Sequence, residues 1–323
     1  MLYSGKDLRK LIIPLIIEQI LAIAVGMADT IMVSAAGEAA VSGVSLVDTV
    51  KILLINVFSA LATGGAVVSG HFLGKKKRED ACKSAWQILL FATLLACVIS
   101  VIFITAHDPL LRLMFGKIED DVMKASKTYL IITTYSFVAL AIYNSCAALF
   151  RAMNESKVTM WVSLLMNVIN VVGNAICIYG LHMGVAGVAI PTTISRYVAA
   201  VVIFLLMFQT KKEINLCGQI TWKFNGSLIK KILYIAIPNG LENSMFQLGK
   251  ILVMSAVATM GTSAIAANAV TGTIANWNNL PGFAINLAIV SVVSVCVGAG
   301  RYDQARYYTR RLCRDAMIGI GCL

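Results

Sequence analysis

The chain has 323 residues, of which 59% are hydrophobic and 13% charged, with a formal net charge of +11 and a mean hydropathy of +0.81. Soluble domains carry about 45–50% apolar and about 25% charged residues, so this composition excludes an aqueous globule and places the protein in a bilayer. The apolar residues recur in blocks of about 20 or more, each able to cross about 30 Å of hydrocarbon, which excludes a single anchor. Unbroken runs such as Ile88 to Ala106 exclude the alternating strands of a β-barrel.

Nine apolar segments are expected in this all-α, polytopic chain. The first, Arg9 to Ala35, runs past the length of a signal-peptide core without a small-residue cleavage site and reads as a retained helix. Pro14 frees a carbonyl of the preceding turn and permits a bend, with Glu18 four residues on, so the pair is a candidate hinge with an ionisable group attached. Asp29 lies six residues, roughly 9 Å, from the outer end of this helix. A carboxylate at that depth costs ~2.5 kcal/mol or more and is by default functional, a group suited to binding and releasing a proton or sodium ion.

The second segment, Val44 to Leu73, holds Asp48 and Lys51 one turn apart, which reads as a local ion pair. The third and fourth are Ala85 to His107 and Thr128 to Phe150. On the fifth, Val158 to Tyr179, Asn167, Asn170 and Asn174 fall on one helical face, with Gly173 leaving room for another backbone. The sixth, Val185 to Gln209, places the hydroxyls of Thr192 and Thr193 beside Pro191, and with Asp29 and the asparagines they make a candidate polar chamber. The seventh, Ile232 to Ala258, repeats the motif of a proline, Pro238, followed by Glu242; the eighth, Ala266 to Val297, carries a polar stretch, Asn276 to Asn279, before Pro281. A ninth starts near Tyr307.

Cations separate by side. Twenty lie in the amino terminus and in alternate connections, including the run Lys75 to Arg78 and the cluster Arg301 to Arg314, against four (Arg112, Lys117, Lys124, Lys127) opposite. Lys and Arg mark the cytoplasmic side, so the amino terminus is expected there. The basic run is a topology signal, not a nucleic-acid site. Eight dispersed cysteines and three distant histidines (His71, His107, His182) give no metal spacing, and no phosphate-binding loop occurs, so no ATP-driven engine is encoded.

Shifting the chain by 224 residues places Ile13-Pro14 on Ile237-Pro238, Glu18 on Glu242, Gly37 on Gly261, Gly74 on Gly298 and Ala81 on Ala305 without a gap. Six helices separate equivalent points, so the copies are parallel repeats about an axis along the membrane normal. Residues 1–224 are expected to form a complete six-helix lobe and 225–323 the start of a second, about three helices short of twelve.

These residues resemble the MATE (multidrug and toxic compound extrusion) transporters. The similarity lies in the Pro14 helix leading to Met27-Ala-Asp29-Thr-Ile-Met-Val, Gly37 with Ala39-Ala40, the Gly74 basic loop followed by Ala81, Phe150-Arg151-Ala-Met, Gly184-Val-Ala-Gly187-Val-Ala-Ile, and Gly298-Ala-Gly300-Arg-Tyr-Asp-Gln-Ala305. The resemblance implies a two-lobe bundle of twelve helices in the inner membrane, acting as a monomer. It would be a secondary antiporter, not an enzyme, exporting organic cations or drugs against inward H+ or Na+ flow, with no cofactor beyond that ion. In the family a first-helix aspartate works with an asparagine and an aspartate one turn apart on helix five and a threonine on helix six. The matching positions are Asp29, Asn170, Asn174 and Thr192, with Asn174 standing where the family has the second aspartate. Glu242 is similar to the family's second-lobe carboxylate. Rival readings are a lipid-linked oligosaccharide flippase, which needs a strongly cationic cavity where only Lys51, Arg196 and Lys250 lie outside the loops, and an intramembrane enzyme, which needs paired catalytic groups such as a histidine facing a carboxylate, whereas no histidine falls mid-helix.

Overall fold

A computed structural model of the protein describes residues 2–35, 37–115, 120–210, 212–217, 221–258, 268, 271–272 and 274–322, and among these every regular element is a helix. Helix α1, Gly5–Ser34, starts at a capping box: the Ser4 hydroxyl accepts from Asp7 N at 3.2 Å while Asp7 Oδ2 accepts from Ser4 N at 2.9 Å. It continues unbroken through Pro14, whose ring faces the interior. The Ser156 hydroxyl donates to Leu11 O at 2.9 Å, tying α7 to the turn that precedes the proline.

Helix α2, Glu38–Gly74, is the central post, followed by α3, Arg78–Thr105, and a short α4, His107–Phe115. The expected fourth span is not one rod. It consists of α5, Asp120–Thr134, and α6, Phe137–Ala152, bent by 50°. The sequence between them, Thr133 to Ser136, shows why: each of the three hydroxyls of Thr133, Thr134 and Ser136 bonds a carbonyl three or four residues back, an arrangement that competes with straight helix. Helix α7, Ser156–Ala175, ends in one π turn, Ile176–Gly180. Then come α8, Ala186–Leu206; α9, Gly226–Ala258; α10, Leu280–Gly298; and α11, Tyr302–Cys322. Among the described residues six helices, α1, α2, α3, α7 with its π turn, α8 and α10, are long and apolar enough to cross a membrane, and the bent α5–α6 pair makes a seventh. The segments expected at Ile232 to Ala258 and from Tyr307 are helical but stand outside that set. Parts of the expected eighth segment, together with Lys117 and Gly261, lie outside the described residues.

The main core joins α2, α3, α6 and α8 through Phe58, Ile88, Phe137, Leu149, Phe150 and Ile203. A second cluster at the opposite end from the basic loops joins α1, α2, α5 and α8 through Val33, Val47, Leu130 and Val188. A third packs Leu8, Leu11 and Leu15 of α1 on Ala284, Ala288 and Val292 of α10. Because lipid is as apolar as these side chains, close backbone approach rather than exclusion from water holds such contacts, which is the use of small residues. Large apolar side chains such as Ile31, Val101 and Leu205 point outward, as a lipid-facing surface requires.

Where α2 crosses α10 the packing follows the 224-residue register. A Cβ on Gly74 would overlap the carbonyl of Val295 and the backbone of Gly298, while one on Gly298 would overlap the backbone of His71. His71 and Val295 are themselves 224 apart, as are Gly74 and Gly298. Gly70 likewise abuts its equivalent, Ser294. Position i touching j′ while j touches i′ is the signature of two-fold packing. The helix ends keep the same register: α2 stops at Gly74 and α10 at Gly298, α3 begins at Arg78 and α11 at Tyr302. In the intervening turns Lys76 and Gly300 both adopt positive φ, 58° and 71°.

Candidate functional site

Four of the residues singled out from sequence meet at one place. Asn174 Nδ2 donates to Asp29 Oδ1 at 2.8 Å, joining α7 to α1, and Asn170 Nδ2 donates to Thr192 Oγ1 at 2.9 Å, joining α7 to α8. A longer bond of 3.4 Å runs from Asn174 Nδ2 to Asn170 Oδ1. The helical spacing of the asparagines supplies the first link, and Gly173 between them supplies the second. A Cβ at that position would stand 2.6 Å from Pro191 Cβ, so only glycine lets α8 approach closely enough for Thr192 to reach Asn170. Pro191 lies within α8.

The three asparagines and Thr192 are buried and Asp29 is partly buried. Asn174 Oδ1 and Asn167 Nδ2 are buried without a hydrogen-bond partner. An unpaired amide oxygen next to a carboxylate is a ready ligand for a cation or for the proton donor of a hydrated one. Asn167 joins this face but makes no bond to the Asp29 group. Thr193 does not join it: its hydroxyl donates to Ile132 O at 3.1 Å, fastening α8 to α5.

Asp29 and Thr192 open on a cavity of about 390 Å³ whose wall also carries Asp48, Lys51, Tyr129 and Arg196. The expected local pair is present, Lys51 Nζ to Asp48 Oδ1 at 2.7 Å. Tyr129, 78 positions along the chain, adds a third member by accepting from Lys51 at 2.8 Å and donating to Asp48 at 3.3 Å. Sequence reasoning missed Tyr129 and took Arg196 only as a cation outside the loops, without placing it at this site. The signal for Arg196 was available: it follows Thr192 by four residues and therefore shares its helix face.

Glu18 is buried. Its carboxylate accepts from Thr159 Oγ1 at 2.9 Å and from Arg151 at 3.4 Å, which clamps α1 to α6 and α7. Arg151, read from sequence as a loop cation, is thus largely withdrawn into the protein. Glu242, one turn after Pro238 on α9, is exposed. A second cavity, of about 680 Å³, lies between α1 and the later helices and is lined by Ile16, Ile20, Trp277, Asn278, Pro281 and Ile320. The polar stretch expected at Asn276 to Asn279 therefore borders this space, and Asn278 Oδ1 is buried there without a partner. Among the described residues no cluster of metal-ligating side chains occurs.

Apolar helices long enough to cross a bilayer, packed around a chamber that carries charged side chains, define a multi-pass membrane protein. The MatE family model matches residues 14–176 and 238–320, so the chain belongs to the MatE family, a family of transporters and not of enzymes. The two matched segments begin at Pro14 and Pro238, again 224 residues apart. Among curated relatives, the uncharacterized transporter YisQ of Bacillus subtilis (strain 168) is 28% identical over 297 residues, covering 90% of this chain and 64% of that protein. The probable multidrug resistance protein NorM of Thermotoga maritima is 26% identical over 306 residues, covering 93% and 64%. The chain therefore spans about 64% of the length of these relatives. A solved multidrug resistance MATE family transporter of the MOP superfamily, in an outward-facing conformation, superposes with a TM-score of 0.86 at 21% identity, covering 97% of this chain and 69% of the other. A MATE in the bent conformation superposes with a TM-score of 0.83. These likenesses establish the fold.

Proposed function

We propose that this chain belongs to a secondary active antiporter that exports organic cations or drugs across the cytoplasmic membrane, coupled to inward H+ or Na+ flow by alternating access. The observation that carries the reading is the hydrogen-bonded assembly of Asp29, Asn174, Asn170 and Thr192 from three helices, with Asp29 and Thr192 on the wall of a cavity that also holds Asp48, Lys51 and Arg196. A membrane-embedded carboxylate with no ion pair is costly unless it exchanges a cation. The larger, mostly apolar cavity between α1 and the later helices supports a small hydrophobic substrate, held by aromatic and aliphatic walls with a few polar atoms. Ion binding at Asp29 would bias the lobes toward one access state by its difference in affinity between the two. Residues 1–224 form one lobe in this reading and 225–323 begin the other, with the amino terminus and basic loops cytoplasmic.

Asp29→Asn in the full-length protein should abolish drug efflux while leaving its abundance in the membrane unchanged. Efflux that survives this substitution would remove Asp29 from the mechanism. A second reading, a flippase for lipid-linked oligosaccharides, needs a strongly cationic cavity, and the chamber wall sets only Lys51 and Arg196 against Asp29 and Asp48. Counterflow of a cationic dye under separate proton and sodium gradients separates the two, since a flippase gives none.

A further inference from the structure

The first-lobe cavity holds four charged side chains, and two of them are already matched. Lys51 is bonded to Asp48 and to Tyr129. The other two are Asp29 on α1 and Arg196 on α8, of opposite sign, and neither forms an ion pair among the described residues. Arg196 makes a single hydrogen bond, from Nη1 to Ser136 Oγ at 2.9 Å, leaving the other donors of its guanidinium without a described partner. An arginine within a span that is held only by one neutral hydroxyl is as unusual as a lone carboxylate there, because both charges are costly in hydrocarbon. Its anchor sits at the 50° break between α5 and α6, and its own helix face carries Thr192 one turn earlier.

We propose that Arg196 is a tethered counter-cation for Asp29. It rests on Ser136 while a coupling ion occupies the Asp29 site, and it turns to the Asp29 carboxylate when that ion leaves. This rests on the reading that Asp29 exchanges a cation. Asp48 with Lys51 is constant, and Asp29 is matched first by the bound ion and then by Arg196; with the ion bound the cavity carries the one unmatched positive charge of Arg196, whose repulsion of the ion favours release. The neutral tether is weak by design of its chemistry, since one hydrogen bond to a hydroxyl holds less strongly than a charge-assisted pair. The other titratable groups facing the site are Asp48, Lys51 and Tyr129, from α2 and α5, and α7 contributes only amides. Arg196 is thus a positioning residue that promotes ion release and so sets how readily the lobe resets.

The test uses the full-length protein in liposomes with counterflow of a cationic dye, under separate proton and sodium gradients, for the wild type, Arg196→Gln and Arg196→Lys. Arg196→Gln should lower the ion concentration at half-maximal transport by about tenfold and slow turnover, as expected when a competing charge is removed. Arg196→Lys should stay within about twofold of the wild type, because it keeps the charge. Arg196→Gln protein that transports with unchanged half-saturation overturns the proposal. A second measurement does not depend on transport: thermal unfolding in sodium-free detergent at alkaline pH for Asp29→Asn, Arg196→Gln and the double variant. The losses of the two single variants should exceed that of the double, since each leaves one charge alone. Strictly additive losses overturn the proposal even if the wild type transports nothing, whereas absent ion-coupled transport with non-additive losses would sink only the antiporter reading.

Discussion

The Glu18 carboxylate is the clearest case of a residue whose environment assigns it a job. It lies one turn after Pro14, the place where a bend is easiest, yet Arg151 and Thr159 grip it from two other helices. Removing one partner of a buried pair leaves the other charge unmatched, at a cost of about 3–5 kcal/mol. Glu18→Ala should therefore destabilise the protein by about 3 kcal/mol, and Thr159→Val by about 1 kcal/mol, in thermal unfolding in detergent. Equal small losses in both would show that the clamp contributes little. The Asp29 group differs, because its bonds run to neutral amides and a hydroxyl, and Asn174 Oδ1 is left unpaired. The periodicity of Asn167, Asn170 and Asn174 made their shared face legible. What distinguishes Asn167, which bonds neither Asp29 nor Thr192, is a matter of depth along the helix, which spacing alone does not report.

At the scale of elements, glycines decide which helices touch. Gly173 admits Pro191 and so closes the Asn170–Thr192 bond. Gly173→Val should separate α7 from α8 and reduce ion-coupled transport at least as much as Thr192→Val does, measured by counterflow in liposomes. Gly74 and Gly298 let α2 and α10 cross at their basic ends. Overpacking such a crossing costs about 1–3 kcal/mol. Because the two positions are equivalent in the repeat and meet across the same seam, Gly74→Ala and Gly298→Ala should lower the melting temperature by similar amounts, each more than Gly26→Ala, where a Cβ meets only open space. The break between α5 and α6 was not legible. Thr128 to Phe150 carries no charged residue, and hydropathy counts the hydroxyls of Thr133, Thr134 and Ser136 as mild interruptions without registering that all three turn back on the backbone.

For the whole molecule, the distribution of Lys and Arg sets one testable property. If the basic loops face the cytoplasm, a cysteine introduced at Lys76 in a cysteine-depleted protein should resist an impermeant maleimide in intact cells, while one at Lys124 should be labelled. The reverse pattern would invert the orientation. The repeat also carries an asymmetry: the position equivalent to Asp29 is Val253 on α9. In the proposed mechanism charge exchange therefore falls to the first lobe, while the later helices offer the mostly apolar wall of the second cavity.

The sequence by itself determined that the chain is helical and membrane-embedded, that it repeats at 224 residues, and that Asp29 is an isolated carboxylate within a span. These follow from composition, period and spacing, which are properties of neighbouring residues and of the solvent they require. Only the tertiary structure decided who meets whom over long distances: Tyr129 with Lys51, Arg151 with Glu18, Arg196 with Ser136, and Asn174 with Asp29. Such partnerships depend on how closely backbones approach and how each helix is rotated, and those are settled by small residues and steric fit between helices far apart in the chain.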